Sequence, residues 1–437
     1  MSLFQRLWHL QGTVGRATYA LGGLLAFALK FGVDWSVAHF VFHRPWNLLS
    51  YWHLIGAEMP PAMAVTLIAI AAPFVWFGIT MTLLRLRDAG AGPILTAGFF
   101  VPVFNVGLFA LLSLLPPGSF KRRHEPGRER AIESAFIAVV ITALFAMPVA
   151  ALSIYFFEMY GVGLFVGLPF CIGFIAALVY ARRAPGSKVR PWITAYAAML
   201  LVGGIVLAVA WEGVVCLVMV LPLALAEVAL GVLFANAVCN RTRLAHASMI
   251  IPALLPLMIA GEASMKPPAP LYEVRSSIEV DAPPAVVWKN VIEFPEIREK
   301  PELIFRAGIA YPLRARIVGR TRYCEFTTGA FVEPIDVWDA PRRLSFSVTQ
   351  NPDPMRELSP YGRIDAPHLH GFMTSKRGQF DLEPLDGGRR TRLTGTTWYQ
   401  HNLWPAAYWR LWSDEIIHRI HMRVLRHIRN SSEKTNV

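Results

Sequence analysis

Seven apolar stretches of about 20 residues follow one another between residues 18 and 236, and a shorter, weaker eighth lies at 245–261. The hydrocarbon core of a bilayer takes about 20 residues of helix. The stretches 18–41, 60–84, 93–115, 132–157, 161–180, 191–211 and 213–236 therefore read as membrane spans. Charge divides the chain at the same place. Residues 1–261 hold 17 Lys/Arg and 9 Asp/Glu, whereas residues 262–437 hold 25 and 21. Only the second part approaches the roughly 25% charged composition of a soluble domain. Two-thirds of the net charge of +12 lies in the membrane part, where basic residues beside spans are a topological signal. That excess is no argument for nucleic acid, and none is expected as a partner; the bilayer is.

Counting Lys and Arg orients the loops. Loops 116–131, 181–190 and 239–244 are basic and should be cytoplasmic, while the connections near 158–161 and 211–213 carry no Lys or Arg. Segment 85–92 is also basic, so a single crossing by 93–115 would put 85–92 and 116–131 on opposite sides. A hairpin broken near Pro102–Asn105 keeps both inside. Gly163 and Gly167 form a small-xxx-small pair suited to close helix contact. Lys30, Asp34 and Glu227 are ionisable residues inside apolar segments. They mark either a polar pathway or, for Lys30 and Asp34 four apart on one face, a local pair. The N-terminus has no apolar core followed by a small-residue cleavage site, so no cleaved signal is expected.

The four cysteines, at 171, 216, 239 and 324, show neither CxxC pairing nor a Cys/His ligand spacing. No disulfide framework, metal ligand or cofactor is assigned.

Gly15-Arg16 with Tyr19, then Arg87-Asp88-Ala-Gly90 and the Leu-Pro-Pro-Gly118 ending, resemble the YhaH-like bacterial inner-membrane family of unknown function. The resemblance covers roughly residues 5–120, departs from the family where Ala17-Thr18 replace a second Arg, and implies an inner-membrane location without an activity. The membrane part thus reads as 1–120, YhaH-like, followed by further transmembrane helices over 121–261.

A Pro-rich linker at 262–271 leads into a soluble domain over 272–430, with 431–437 as a disordered tail. Residues 272–281 alternate as a half-buried strand. Asp281, with the prolines after it, reads as a helix N-cap. Strand-like stretches follow at 303–310, 313–318, 321–328, 330–338, 342–350, 376–384 and 389–400, and a long helix at 404–430. This order, with Ile278-Glu-Val-Asp-Ala-Pro283, Phe331-Val-Glu-Pro-Ile335, Trp338-Asp-Ala-Pro341, Thr391-Arg-Leu393 and the Trp412-Ser-Asp414 helix, resembles the START/Bet v 1-like (SRPBCC, polyketide cyclase/lipid transport) superfamily. The resemblance implies an α+β helix-grip domain whose sheet wraps the last helix around a cavity for an apolar ligand. Fold alone does not fix function.

Strand parity and the helical repeat pick out candidate cavity residues: Phe331, Glu333, Ile335, Phe346, Phe380, Leu393, Trp409, Trp412, Ile416 and Ile420, with Val337 on the same strand face. Glu333 could hold a ligand head group or snorkel at a bulge near Pro334. Asp414, His418 and His421 share a helix edge, and His368-Leu-His370 lies in a loop. Such groups can hold zinc or act as acid and base, but a solvated helix edge is commoner, and no catalytic residue is assigned. The sequence reading is a membrane-anchored domain binding a lipid or other hydrophobic small molecule, which leans away from an enzyme without excluding one. The alternatives are a cyclase- or hydrolase-type enzyme, and a membrane scaffold or transporter whose soluble domain binds protein. The side of the soluble domain turns on whether 245–261 crosses, which favours the extracytoplasmic side narrowly.

Overall fold

A computed structural model describes residues 12–47, 50–53, 61–100, 102–119, 126–239, 250–265, 268–359, 364 and 366–435. The chain divides into two compact units. The first comprises Met1–Met159, Gly163–Val209 and Leu221–Ala263; the second comprises Tyr160–Val162, Ala210–Val220 and Ser264–Val437. Two short pieces that the hydropathy pattern assigns to the membrane region or its connections thus belong with the soluble domain.

The first unit is helical: α1 (Arg16–Ser36), α2 (Pro61–Ala89), α3 (Pro102–Leu114), α4 (Pro126–Ala151), α5 (Leu168–Arg183), α6 (Arg190–Ala208), α7 (Val214–Cys239, entering from the second unit) and α8 (Ile250–Met265). Among the described residues, six helices are long and apolar enough to cross a membrane: Arg16–Val41, Thr66–Ala89, Arg130–Phe156, Gly163–Arg183, Arg190–Ala208 and Val214–Cys239. Leu25 and Leu200 are 70% and 67% exposed, a surface that lipid covers and water would penalise. Helix α8 is 16 residues long; the basic loop 239–244 lies, beyond Cys239, outside the described residues.

The expected span 93–115 is instead a 3₁₀ segment, Pro93–Phe100, followed by α3. Both ends of this broken segment meet the end of α2. The Gly118 N–H donates to the Asp88 carbonyl at 2.7 Å. Arg85, fully buried, donates from Nε to the Leu112 carbonyl at 2.9 Å and from Nη2 to that of Leu115, while Nη1 pairs with Asp88. The last carbonyls of a helix have no intrahelical partners, and this guanidinium supplies donors to them. The chain therefore leaves α2 and returns to the same end, as a hairpin.

The second unit is a seven-stranded antiparallel sheet: β1 (Leu271–Val280), β2 (Pro312–Val318), β3 (Thr321–Phe326), β4 (Gly329–Asp339), β5 (Arg343–Ser347), β6 (Met373–Leu385) and β7 (Arg390–His401), in the order β1-β7-β6-β5-β4-β3-β2. Helix α9 (Pro284–Ile292) follows β1, and α10 (Ala406–Thr435) closes the chain. Register shifts at Pro312/Arg314, Ile335/Val337 and Ser375/Arg377 are bulges of the kind that bend a sheet. Val280, Val287, Val291, Leu344, Leu393, Leu425 and Ile428 are fully buried and form the core. This is the helix-grip arrangement.

Several expectations need correction. Residues 303–310 form no strand; Leu303–Arg306 is one helical turn. The bulge after Ile335 shifts the parity of β4, leaving Val337 38% exposed. Asp281 is not the cap of α9, whose N-cap is Pro283; it pairs with Arg390 instead. Residues 431–435 continue α10 rather than forming a tail. Gly163 does make a close helix contact, since a Cβ there would lie 2.5 Å from Ile259 of α8, and a second close crossing lies between α5 and α7. A Cβ on Gly173 would lie 2.2 Å from the Val228 carbonyl oxygen, and one on Gly231 2.2 Å from that of Phe170.

Backbones in that contact cannot separate without losing the crossing of α5 over α7. Gly173→Val or Gly231→Val should lower the thermal midpoint of the detergent-purified protein by several degrees, the usual consequence of overpacking by 1–3 kcal/mol. Gly203→Val, with open space around its Cβ position, should leave it unchanged.

Candidate functional site

Helix α10 meets the two ends of the curved sheet on different sides. His421 contacts Ser276 of β1 and Thr397 of β7. Arg423 reaches the Pro312 carbonyl at the start of β2 and stacks on Tyr311. At about 100° per residue, the sector between these contacts contains Trp409, Ile416, Ile420 and Val424, which places them toward the middle of the concave face. There the strands present Phe331, Ile335, Phe346, Phe380 and Leu393. Burial is uneven. Trp409, Ile416, Ile335, Phe346 and Leu393 are buried, whereas Trp412, Ile420, Phe331 and Phe380 are only partly so. The C-terminal end of the helix is sealed by Val424, Leu425 and Ile428, with Phe331 and Phe380 packed against that core, while Trp412 and Ile420 nearer its start are half-buried. Gly378 belongs to this surface because a Cβ there would strike the Phe346 ring at 2.3 Å.

Glu333 does not snorkel to solvent. It is buried and ion-paired to Arg322, whose guanidinium lies 5.0 Å from the Phe346 ring centroid and 5.6 Å from that of Phe380. Burial pushes the Glu333 carboxyl above its ordinary range, with Arg322 pulling the other way. Removing one member of such a pair strands a charge.

The helix-edge residues Asp414, His418 and His421 make hydrogen bonds within the domain. Asp414 accepts from Tyr399 Oη at 2.6 Å and Arg410 Nε at 3.0 Å. Ser276 Oγ lies 2.8 Å from His418 Nδ1 and 3.1 Å from His421 Nδ1, and Thr397 Oγ1 lies 2.7 Å from His421 Nε2. One hydroxyl can donate to one imidazole and accept from the other, so Ser276 bridges the two rings. Burial, then the neighbouring His418, pushes the His421 pKa down to about 4.

In the first unit Lys30 pairs with Asp34, which also accepts from Tyr51 Oη at 2.6 Å. No hydrogen bond or ion pair joins Glu227 to either among the described residues.

A second cluster escaped the sequence reading. Glu212, Cys216, Glu357 and His368, all within the second unit, place one ligand atom each within 4.8 Å of one another, and all four residues are buried. His368 Nδ1 is 2.9 Å from Glu212 Oε2, and its Nε2 is 3.4 Å from Glu357 Oε1 and 3.5 Å from Cys216 Sγ. Tyr160 Oη donates to Glu212 Oε1 at 2.6 Å. Burial opposes a charge on His368, but Glu212 and Cys216 more than offset it and raise its pKa. The sequence offered only the loop histidine and a carboxylate just before an apolar helix; 152 residues separate Cys216 from His368. His370, the loop's other histidine, is 54% exposed beside Asp353.

No family model matches the chain, and no curated protein does. Solved structures similar to its C-terminal part include an uncharacterised protein from Bacillus thuringiensis (12% identity, 37% of this chain and 98% of that one, TM-score 0.26). A point mutant of norcoclaurine synthase from Thalictrum flavum is similar at 10% identity over 39% and 99%, TM-score 0.25. The Zhui aromatase/cyclase from Streptomyces sp. R1128 is similar at 15% over 38% and 95%, TM-score 0.23. At these values the neighbours bear on no activity; the helix-grip assignment stands on the strand order and the position of α10.

The lowered pKa of His421 has a signed consequence. Above about pH 6.5 the ring is neutral folded and unfolded, and contributes no pH dependence. Between about 6.5 and 4 the unfolded chain binds a proton that the folded one refuses, so stability falls as pH falls. The loss is at most about 3 kcal/mol, and less where partial exposure screens the charge. Thermal unfolding of the full chain at pH 7 and 4.5 should show a smaller acid-induced drop for His421→Gln than for the unaltered protein.

Proposed function

We propose that this protein is a multi-pass membrane protein that holds a ligand-binding helix-grip domain at the extracytoplasmic face of the membrane. There it takes up an apolar small molecule, a lipid being the favoured class. The observation that carries the binding reading is the uneven burial along α10: Trp412 and Ile420 stay half-buried, while Val424, Leu425 and Ile428 belong to a sealed core. Anchoring the domain at the bilayer raises the effective concentration of a membrane-derived ligand without added affinity.

Unit membership and charge support this side. The second unit includes Tyr160–Val162 and Ala210–Val220, next to the two connections that carry no Lys or Arg. The Trp404 N–H donates to the Tyr160 carbonyl at 2.9 Å, and the Val214 N–H to that of Leu358 at 2.9 Å. Basic loops belong inside, so these connections, and the domain with them, belong outside. Helix α8 must then cross, and its 16 residues extend about 24 Å at 1.5 Å per residue, short of the roughly 30 Å core. Local thinning of the bilayer accommodates such a helix at modest cost.

Native mass spectrometry of the full chain released from membranes should detect a co-purifying apolar molecule. Its occupancy should drop at least several-fold in Ile420→Trp, which adds bulk at a half-buried position, with the thermal midpoint retained. No retained molecule, or equal retention by that variant, would contradict the binding reading. A C-terminal alkaline phosphatase fusion should be active and the matching green fluorescent protein fusion dark; the reverse pattern would put the domain inside.

A further inference from the structure

The cluster around His368 contains more negative charge than the described residues balance. Two carboxylates, Glu212 and Glu357, are buried with one imidazole and one thiol. Tyr160 donates to one oxygen of Glu212, and His368 Nδ1 lies 2.9 Å from the other. Glu357 has less: His368 Nε2 lies 3.4 Å from its Oε1. Both of its carboxylate oxygens are buried without a hydrogen-bond donor among the described residues, and its side chain is fully enclosed. No Arg or Lys pairs with it there. An unpaired carboxylate in such surroundings is strongly unfavourable, so the arrangement calls for a cation.

The spacing fits one. A tetrahedral ion about 2.0–2.3 Å from each ligand keeps its ligand atoms roughly 3.3–3.8 Å apart. The contacts of His368 Nε2 with Cys216 Sγ (3.5 Å) and Glu357 Oε1 (3.4 Å) fall in that range. A carboxylate on the far nitrogen of a ligating histidine, itself held by a further hydrogen bond, is the usual support of a metal-bound imidazole; Glu212 and Tyr160 provide both. Gly213 completes the cradle, since a Cβ there would lie 2.0 Å from Glu357 Oε2. We propose that Cys216, Glu357 and His368 bind a divalent transition-metal ion of the zinc class, with Glu212 orienting His368. The sulfur, nitrogen and oxygen donors suit zinc and disfavour the all-oxygen preference of magnesium and calcium. The ion joins three separated pieces of chain, the start of α7, the segment around Glu357 and the turn Pro367–Leu369, so its role is to clasp the second unit together.

The test uses the full chain in detergent. After incubation with zinc chloride and desalting, elemental analysis should find about one zinc per chain, and chelation with EDTA should lower the thermal midpoint by about 5 °C or more, restored by zinc. Cobalt chloride in place of zinc should produce a thiolate-to-cobalt absorption band that Cys216→Ser abolishes. Because Cys216→Ser keeps a small polar side chain, its folding can be checked by its unfolding transition; if it fails to fold, the metal content and cobalt spectrum of the unaltered protein decide alone. Zinc well below 0.1 per chain with no midpoint shift, or a cobalt spectrum without a thiolate band, would overturn the proposal.

Discussion

The hydrogen bond from the Val214 N–H to the Leu358 carbonyl, 2.9 Å long, joins two segments on which the second unit depends. The first N–H groups of a helix lack intrahelical partners, and at the start of α7 one of them is satisfied by the soluble domain's own backbone. The Trp404-to-Tyr160 bond does the same for a second connection. The domain of the sequence reading therefore begins at residue 272 only in a one-dimensional sense. Its folded counterpart is assembled from three pieces of chain, and the buried cluster of Glu212, Cys216, Glu357 and His368 exists only because two of them meet.

Buried charge is handled by the same rule in both units. Arg85 is removed from solvent yet finds Asp88 and two helix-end carbonyls, which fixes the hairpin to the end of α2. Arg322 is buried among aromatic rings yet finds Glu333. Each costs desolvation that only specific partners offset, so each specifies where chain segments must lie. Glu357 is the case where the described partners fall short, and the metal proposal answers it in the same terms.

The parts of this architecture that repeat along the sequence were legible in it. Apolar runs of span length, the alternation of β1, and the long final helix with Trp409, Ile416 and Ile420 on one sector all follow from periodicity. What failed to show was set by single residues or by distance. A bulge after Ile335 turned Val337 outward, although the pattern of β4 reads through it. Residues 303–310 look strand-like but close into a helical turn. Glu333 has the parity of a cavity residue, and nothing local reveals that Arg322 on β3 meets it; only the pairing of Arg322 opposite Glu333 does. The cluster at His368 has no ligand spacing at all, because its members come from segments that meet only in three dimensions.

Hydrogen exchange measured by mass spectrometry, comparing the full chain with the isolated 268–437 fragment, tests most directly whether the soluble domain is completed by Tyr160–Val162 and Ala210–Val220. If it is, peptides covering 355–359 and 402–409 exchange at least about tenfold faster in the fragment, one step of about 1.4 kcal/mol in local stability, while the central strands β5 and β6 change least. Equal protection of those two segments in fragment and full chain would contradict the account.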